Sequence, residues 1–169
     1  MRFKLTTQSS GNLKYKKLLA DFLATRKWKD KIKVDSDKRL AIDTGIDFGE
    51  QTGRLIITAD PKIEIVDVFI YLDLNLNLKC QPKKMEQMAI LMNEIHARHW
   101  QFGRFQVCSE GIIRWQFRVD FEGSSPSGLS IERIVGSGWE CVSRFYNILI
   151  SVALTKQTAK EALVEFDAD

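Results

Sequence analysis

Residues 83–154 have the sequence KKMEQMAILMNEIHARHWQFGRFQVCSEGIIRWQFRVDFEGSSPSGLSIERIVGSGWECVSRFYNILISVAL. Apolar residues recur here at three- and four-residue spacing, then at every second position, then again at three and four. This pattern predicts a helix, a β-hairpin that turns at Ser109-Glu110-Gly111, and a further helix. The return strand of the hairpin has the clearest period of two in the chain. We expect its apolar residues Ile113, Trp115, Phe117, Val119 and Phe121 to face inward, and Arg114, Gln116, Arg118 and Asp120 to face outward.

The spacing of apolar residues also predicts the helices and strands of the remaining chain. We expect residues 1–12 to be a loose segment that ends in Asn12 as a helix N-cap, followed by a helix over 13–28 whose apolar stripe consists of Tyr15, Leu18, Leu19, Phe22 and Leu23. Alternating apolar residues predict strands around 32–34, 40–42, 55–59 and 63–74, and glycines among polar residues favour a loop over 44–53. The next predicted elements are a helix over 83–100, a hairpin, a helix from Ile131 that Ser130 caps, and a short final helix before an acidic tail at 167–169.

These elements define the predicted architecture. We expect one α+β domain over residues 1–169, with an antiparallel sheet of about five strands and the helices mainly on one face. The element order is helix, three or four strands, helix, two strands, helix. A chain of this length can bury roughly two-thirds of its unfolded surface, so burial of the apolar faces is the main stabilising term.

Composition limits the function classes. The chain is 44% hydrophobic and 28% charged with a net charge of +3, which is ordinary for a globular domain and does not indicate a nucleic-acid partner. Its three cysteines lack C-x-x-C spacing, so we expect reduced thiols. No apolar run is long enough to span a bilayer, and we predict a soluble cytoplasmic protein. The basic first quarter, residues 14–33, is interpreted as a solvated surface, with an anionic partner as the alternative.

No catalytic or cofactor motif occurs, and we predict a non-enzyme without cofactor or metal. Glu94, His96 and His99 lie within one helical stretch, so a metal or enzymatic site built from them is the alternative hypothesis. A zinc site there would need a further ligand, and no Cys/His cluster supplies it. Gly136 and Gly138 weaken their helix by about 1 kcal/mol each relative to alanine, and they could permit close approach of another backbone.

Two groups of residues are candidates for a protein interface. Met85, Met88 and Met92 form a thioether stripe, which suits adaptable apolar binding but is equally compatible with a core position. Phe69, Tyr71 and Ile112 are predicted on the sheet face opposite the helices, where exposed aromatics would need cover. A two-fold homodimer is the commonest way to provide it, and we predict one.

The element order resembles the fold of type III secretion chaperones and YbjN-like proteins, and a small family of cyanobacterial and plastid proteins looks similar. The resemblance is carried by the junction at residues 93–107, the turn at 109–111, the strand at 113–119, and the helix that contains Trp139, Phe145 and Tyr146. It implies a protein-binding role, commonly as a dimer, with apolar surface holding an extended client. It brings no catalytic residues. Secretion chaperones tend to be acidic, and this chain is slightly basic.

Overall fold

A computed structural model of the protein describes residues 7–48, 51–73, 75–98, 103–124 and 127–168. Its elements are, in chain order, α1 (Thr7–Arg26), β1 (Lys33–Val34), β2 (Leu40–Phe48), β3 (Gln51–Asp60), β4 (Ile65–Tyr71), a 3₁₀ turn (Pro82–Lys84), α2 (Met85–Arg98), β5 (Arg104–Val107), β6 (Ile113–Asp120), α3 (Gly128–Leu154) and α4 (Ala159–Ala168).

All six strands form one antiparallel sheet in the order β1-β2-β3-β4-β6-β5. The predicted α+β class and element order are confirmed, with four strands before α2 and one strand more than the expected five. Strands β1 to β4 follow one another in the chain and pair in that order. The chain then passes through α2 and β5, and β6 pairs with β4 on one side and with β5 on the other. The sheet therefore ends in the short strand β5.

One face of the sheet and the inner sides of the helices form the core. Alternate residues of β3, β4 and β6 lie on this face in register, as in the row Leu55, Ile70 and Trp115. Helix α3 lies against β4 and β6, while α1 contacts β2 and α2 contacts β5. The predicted apolar residues of α1 are buried as expected, namely Tyr15, Leu18, Leu19, Phe22 and Leu23.

The predicted loop over 44–53 is wrong. The ladder between β2 and β3 runs from Leu40↔Ala59 to Phe48↔Gln51 and includes Gly45 and Gly53. Gly53 lies opposite Ile46 on the core face, where a second large side chain is not needed. Cross-strand pairing of a long hairpin thus outweighs the low strand propensity of glycine.

Two predicted helix caps are also wrong. Helix α1 begins at Thr7, so Asn12 lies inside it rather than at its N-terminus. The N-cap of α3 is Ser127, whose side chain accepts a hydrogen bond from the backbone N–H of Ser130. Both helices therefore begin earlier than the apolar periodicity indicates, and in α3 the capping Ser127 precedes the buried Ile131 by about a turn.

Strand β4 ends at Tyr71, three residues before the predicted end, although apolar and polar residues continue to alternate beyond it. The Asp73 carboxylate accepts hydrogen bonds from the backbone N–H groups of Asn75, Asn77 and Leu78. A side chain that satisfies several local backbone donors competes with strand pairing, and here it turns the chain.

Among the described residues, no helix combines the length and apolar character that crossing a membrane would require.

Candidate functional site

The sheet has a second face, which we call the open face because the helices pack on the other one. Its side chains come from β2 to β6, and the residues that matter below are Asp43, Arg54, Asp67, Phe69, Tyr71, Arg104, Gln106, Arg114, Gln116 and Arg118. The period-two analysis of β6 correctly placed Arg114, Gln116 and Arg118 on this face.

Two ion pairs neutralise the carboxylates near the centre of the open face. Arg54 donates to both oxygens of Asp43 at 2.8 and 2.7 Å, and Arg118 donates to both oxygens of Asp67 at 2.8 and 3.0 Å. The hydrogen bonds from Arg54 hold the pKa of the Asp43 carboxyl below its ordinary value. The Asp67 side chain is only 6% exposed, so its bidentate partner is what allows a charge to be buried there.

A third arginine, Arg114, has only neutral partners. Its Nη1 donates to the Tyr71 hydroxyl at 3.1 Å and its Nη2 to the Gln106 Oε1 at 3.2 Å. Its guanidinium carbon lies 4.5 Å from the centre of the Phe69 ring, a cation–π distance. Its Nε is buried without a hydrogen-bond partner. Within the part of the chain that the structure describes, no carboxylate lies within ion-pair distance of Arg114.

Glutamine side chains connect these groups. Gln106 donates to the Gln116 Oε1, and the amide nitrogen of Gln116 lies 3.4 Å from an oxygen of Asp67. The amide of Gln106 therefore faces Arg114 with its oxygen and Gln116 with its nitrogen. This arrangement fixes the orientation of both amides and holds the Arg114 guanidinium in one plane.

The structure brings together two of the predicted interface residues. The rings of Phe69 and Tyr71 have centroids 6.4 Å apart on the open face. Both side chains are half-buried rather than exposed, so the premise that they form bare aromatic surface is wrong. Arg114 covers part of Phe69, and sequence periodicity cannot show such a contact between neighbouring strands.

Ile112 and the methionines lie apart from that pair. Ile112 is half-buried beside Lys79 at the hairpin end. Met88 and Met92 are buried in the core, and Met85 is 38% exposed at the start of α2. The six predicted residues therefore do not form one continuous surface, and an interface role for each stays a prediction. The arginine and glutamine residues of the open face were not predicted as site residues. The alternation of cationic and amide side chains along β6 was the available signal.

A surface groove of about 400 Å³ lies along the β6–β5 side of the open face. It is lined by Gly103, Arg104, Gln116, Phe117 and Arg118. Its walls thus carry two guanidinium groups, and Arg104 also has no carboxylate within ion-pair distance among the described residues.

The residues of the alternative metal hypothesis are used in other contacts. The Nε2 of His96 accepts a hydrogen bond from the backbone N–H of Phe105 at 2.9 Å, which ties α2 to the edge strand β5. Glu94 forms an ion pair with Arg98 at 2.9 Å. His99 and Trp100 lie outside the described residues. The geometry therefore gives His96 a structural role.

This contact predicts a pH effect on stability. Burial, and to a smaller extent the charge of Arg104, lowers the pKa of His96 below its ordinary value of 6.5. The folded state therefore resists protonation, and its stability falls as pH drops through about 6.5 toward the lower folded-state pKa. We expect the stability difference between wild type and His96→Gln to shrink between pH 7.5 and 5.5 in urea unfolding.

The variant retains a side-chain acceptor but removes the titration, so carboxylates and His99 contribute equally to both proteins. Parallel stability profiles over this pH range would show that His96 does not resist protonation in the folded state.

The cysteines offer no activated nucleophile in the described structure. Cys80, Cys108 and Cys141 are thiols that form no disulfide bond with one another. Burial raises the pKa of the Cys141 thiol to about 12 and also raises the pKa of Cys80. Since the thiolate is the reactive form, neither of these two is poised for attack at neutral pH.

The basic residues of the first quarter mostly line a solvated surface. Lys14 pairs with Glu64 at 3.4 Å, and Arg26 pairs with Glu132 at 2.7 Å. The other members of the cluster are exposed, namely Lys16, Lys17, Lys27, Lys29, Lys31 and Lys33. An anionic partner at this surface stays an alternative prediction.

Comparison with known proteins places the fold in a class. No family model matches the chain, and no curated protein sequence matches it. The fold is similar to that of a type III secretion chaperone, as seen in the crystal structure of the ExsC–ExsE complex. The TM-score is 0.54 at 12% sequence identity, over 80% of this chain and 93% of that chain. At this identity the likeness establishes a chaperone-like fold alone, and the resemblance to YbjN-like proteins stays a prediction.

Proposed function

We propose that this protein is a non-enzymatic protein-binding module, chaperone-like or regulatory, which holds a protein partner on the open face of its sheet. The observation that carries the proposal is the cluster of Arg114, Phe69 and Tyr71, in which a guanidinium without a carboxylate partner covers a half-buried aromatic pair. Arginine, tyrosine and phenylalanine are among the residue types that are enriched at protein interfaces.

The fold also supports the proposal. The type III secretion chaperone with a similar fold was solved in complex with a protein partner. No described feature activates a nucleophile or assembles an acid–base pair, so protein binding accounts for the open face without invoking chemistry.

Affinity capture from native lysate tests the proposal. The comparison uses wild type, an open-face variant with Phe69→Asp and Tyr71→Asp, and a matched helix variant with Leu13→Asp and Leu129→Asp. Both residues of the matched variant are exposed. We expect a protein that wild type and the helix variant enrich and the open-face variant loses. Absence of any enriched protein, or its loss only in the helix variant, would contradict the proposal.

We propose that the protein is also a homodimer, with its two-fold contact away from the open face. A contact centred on Phe69 and Tyr71, as the sequence suggested, would bring two uncompensated Arg114 side chains toward each other. The groove between α2 and α4 is better suited. It has a volume of about 340 Å³, and Ile90 and Val164 are exposed along it.

Helix α4 is compatible with antiparallel self-pairing. Lys160 and Asp167 both line this groove and lie two turns apart, with Val164 between them. Two-fold pairing of α4 would set Lys160 of one copy beside Asp167 of the other, so the contact repeats an opposite-charge pair.

Light scattering at micromolar concentration checks the dimer. We expect a mass about twice the 19.4 kDa of one chain. The substitutions Ile90→Asp and Val164→Asp should halve that mass without unfolding the protein, because they place charge in an apolar contact. The open-face variant should keep the dimer mass. A value near 19.4 kDa for wild type across a dilution series would exclude the dimer.

A further inference from the structure

We infer that the open face binds a side-chain carboxylate of its protein partner at Arg114, so that the recognised segment is acidic and carries apolar residues beside the acid. The inference rests on the proposed function and specifies the chemistry of the partner.

The Arg114 side chain is held in place for such a contact. Its partners Tyr71 and Gln106 each take one N–H of a different terminal nitrogen, and each terminal nitrogen retains a second N–H. The ring of Phe69 fixes the guanidinium plane from one side at 4.5 Å. A carboxylate that accepts from both terminal nitrogens would find the fork already oriented, which lowers the entropic cost of binding.

The position of the charges on the open face also favours a carboxylate at Arg114. Asp43 and Asp67 are both held in bidentate pairs with other arginines, and Asp120 lies on the same face at the far end of β6. No described carboxylate lies within ion-pair distance of Arg114 or Arg104. Charge complementarity across an interface selects a partner with the opposite sign.

The apolar part of the preference comes from the aromatic pair. Phe69 and Tyr71 keep part of their surface in water. A segment that places a carboxylate on Arg114 brings its neighbouring side chains over this pair, and apolar neighbours would bury that surface. An extended segment with an acidic residue and an apolar residue two positions apart satisfies both requirements, since alternate side chains of a strand point to the same side.

Nucleic acid fits this face less well. A phosphate backbone is drawn to a continuous basic surface. Here, Asp43 on β2 and Asp67 on β4 are interspersed among the arginines, so a polyanion would meet carboxylates along the face. The Phe69 ring, which could stack on a base, is already partly covered by Arg114.

Fluorescence anisotropy with labelled decapeptides tests the inference. The probe peptide has Glu and Leu in turn at its odd positions and Ser at its even positions, so that Glu and Leu point to the same side of an extended chain. A second peptide has Gln in place of Glu, and an oligothymidylate of equal length tests for nucleic acid. We expect the Glu peptide to bind wild type at least about tenfold more tightly than the Gln peptide does. Arg114→Gln should weaken binding of the Glu peptide by a similar factor. The matched variant Arg133→Gln removes an exposed positive charge from α3 and should leave binding within about twofold.

A second variant and a spectroscopic measurement distinguish loss of the Arg114 contact from a folding defect in Arg114→Gln. Arg114→Lys keeps the charge but removes the planar fork, so binding should still weaken. In wild type, the Nε–H resonance of Arg114 in a nitrogen-15 correlation spectrum should shift on addition of the Glu peptide and not of the Gln peptide.

Equal affinity for the Glu and Gln peptides, unchanged binding in Arg114→Gln, or tighter binding of the oligothymidylate would each overturn the inference. Its failure is distinguishable from failure of the proposed function. A lysate partner that Arg114→Gln retains and the open-face variant loses would leave the proposed function intact. The absence of any captured partner would instead count against the function itself.

Discussion

Replacement of Trp115 by alanine is expected to lower the free energy of unfolding by about 3–5 kcal/mol, the range for deletion of a large buried aromatic side chain. Trp115 is fully buried and is the largest such side chain in the described core. Its ring stacks on Phe117 with centroids 6.1 Å apart. The backbone of Gly103 and Gly138 lies so close to the same ring that little collapse can fill the space left behind.

Urea unfolding followed by circular dichroism measures this loss without relying on tryptophan emission. Trp28→Ala is the matched control. The Trp28 ring packs on the core residue Phe22, with the ring centroids 5.7 Å apart, but Trp28 remains partly exposed. Trp28→Ala should therefore lower the free energy of unfolding by less than Trp115→Ala, since it removes less buried apolar surface. A loss below about 1 kcal/mol for Trp115→Ala would be incompatible with a position at the centre of the core.

Gly138→Ala is expected to destabilise the protein by about 1–3 kcal/mol, although alanine is the better helix former. A Cβ at residue 138 would lie 2.5 Å from one carbon of the Trp115 ring and 2.8 Å from two others. The ring is enclosed on its other sides, so it cannot move away without disturbing Phe117. The close approach at this glycine is thus to an indole ring rather than to another backbone.

Gly136→Ala is the internal control, two residues away on the same helix. No atom lies within 4 Å of the Cβ that this substitution would add. We expect it to stabilise the protein by up to about 1 kcal/mol through helix propensity alone. In a Trp115→Phe background the cost of Gly138→Ala should shrink, since the smaller ring leaves space. Opposite signs for the two glycines are the central result, and equal effects would contradict the packing described here.

Sequence periodicity determined the elements and the core. The alternation from Ile113 to Phe121 identified β6, and the three-four spacing identified the helices, because burial on one side imposes a period that follows from backbone geometry alone. The same periods identified the core positions of α1 and the outward position of the β6 arginines. These features depend only on local backbone geometry and on whether a side chain faces the core or the solvent.

Cross-strand contacts explain what the sequence could not predict. Residues 44–48 and 51–53 are paired strands because their partners lie across the ladder, and strand β4 stops because the Asp73 carboxylate binds local backbone donors. Neither contact leaves a period in the sequence: the glycines have low strand propensity although the segment is paired, and the alternation continues past Tyr71 although the strand ends there.

The candidate site also combines features that the sequence determines with features that only the tertiary structure determines. Local alternation placed Arg114 and the aromatic pair on the open face, but sheet order and register placed that arginine over Phe69 and within reach of Tyr71 and Gln106. They also paired Asp43 with Arg54 and Asp67 with Arg118, leaving Arg114 without an ion-pair partner among the described carboxylates. Which charge stays uncompensated is decided by distances between residues far apart in the chain, and only the tertiary structure sets those distances.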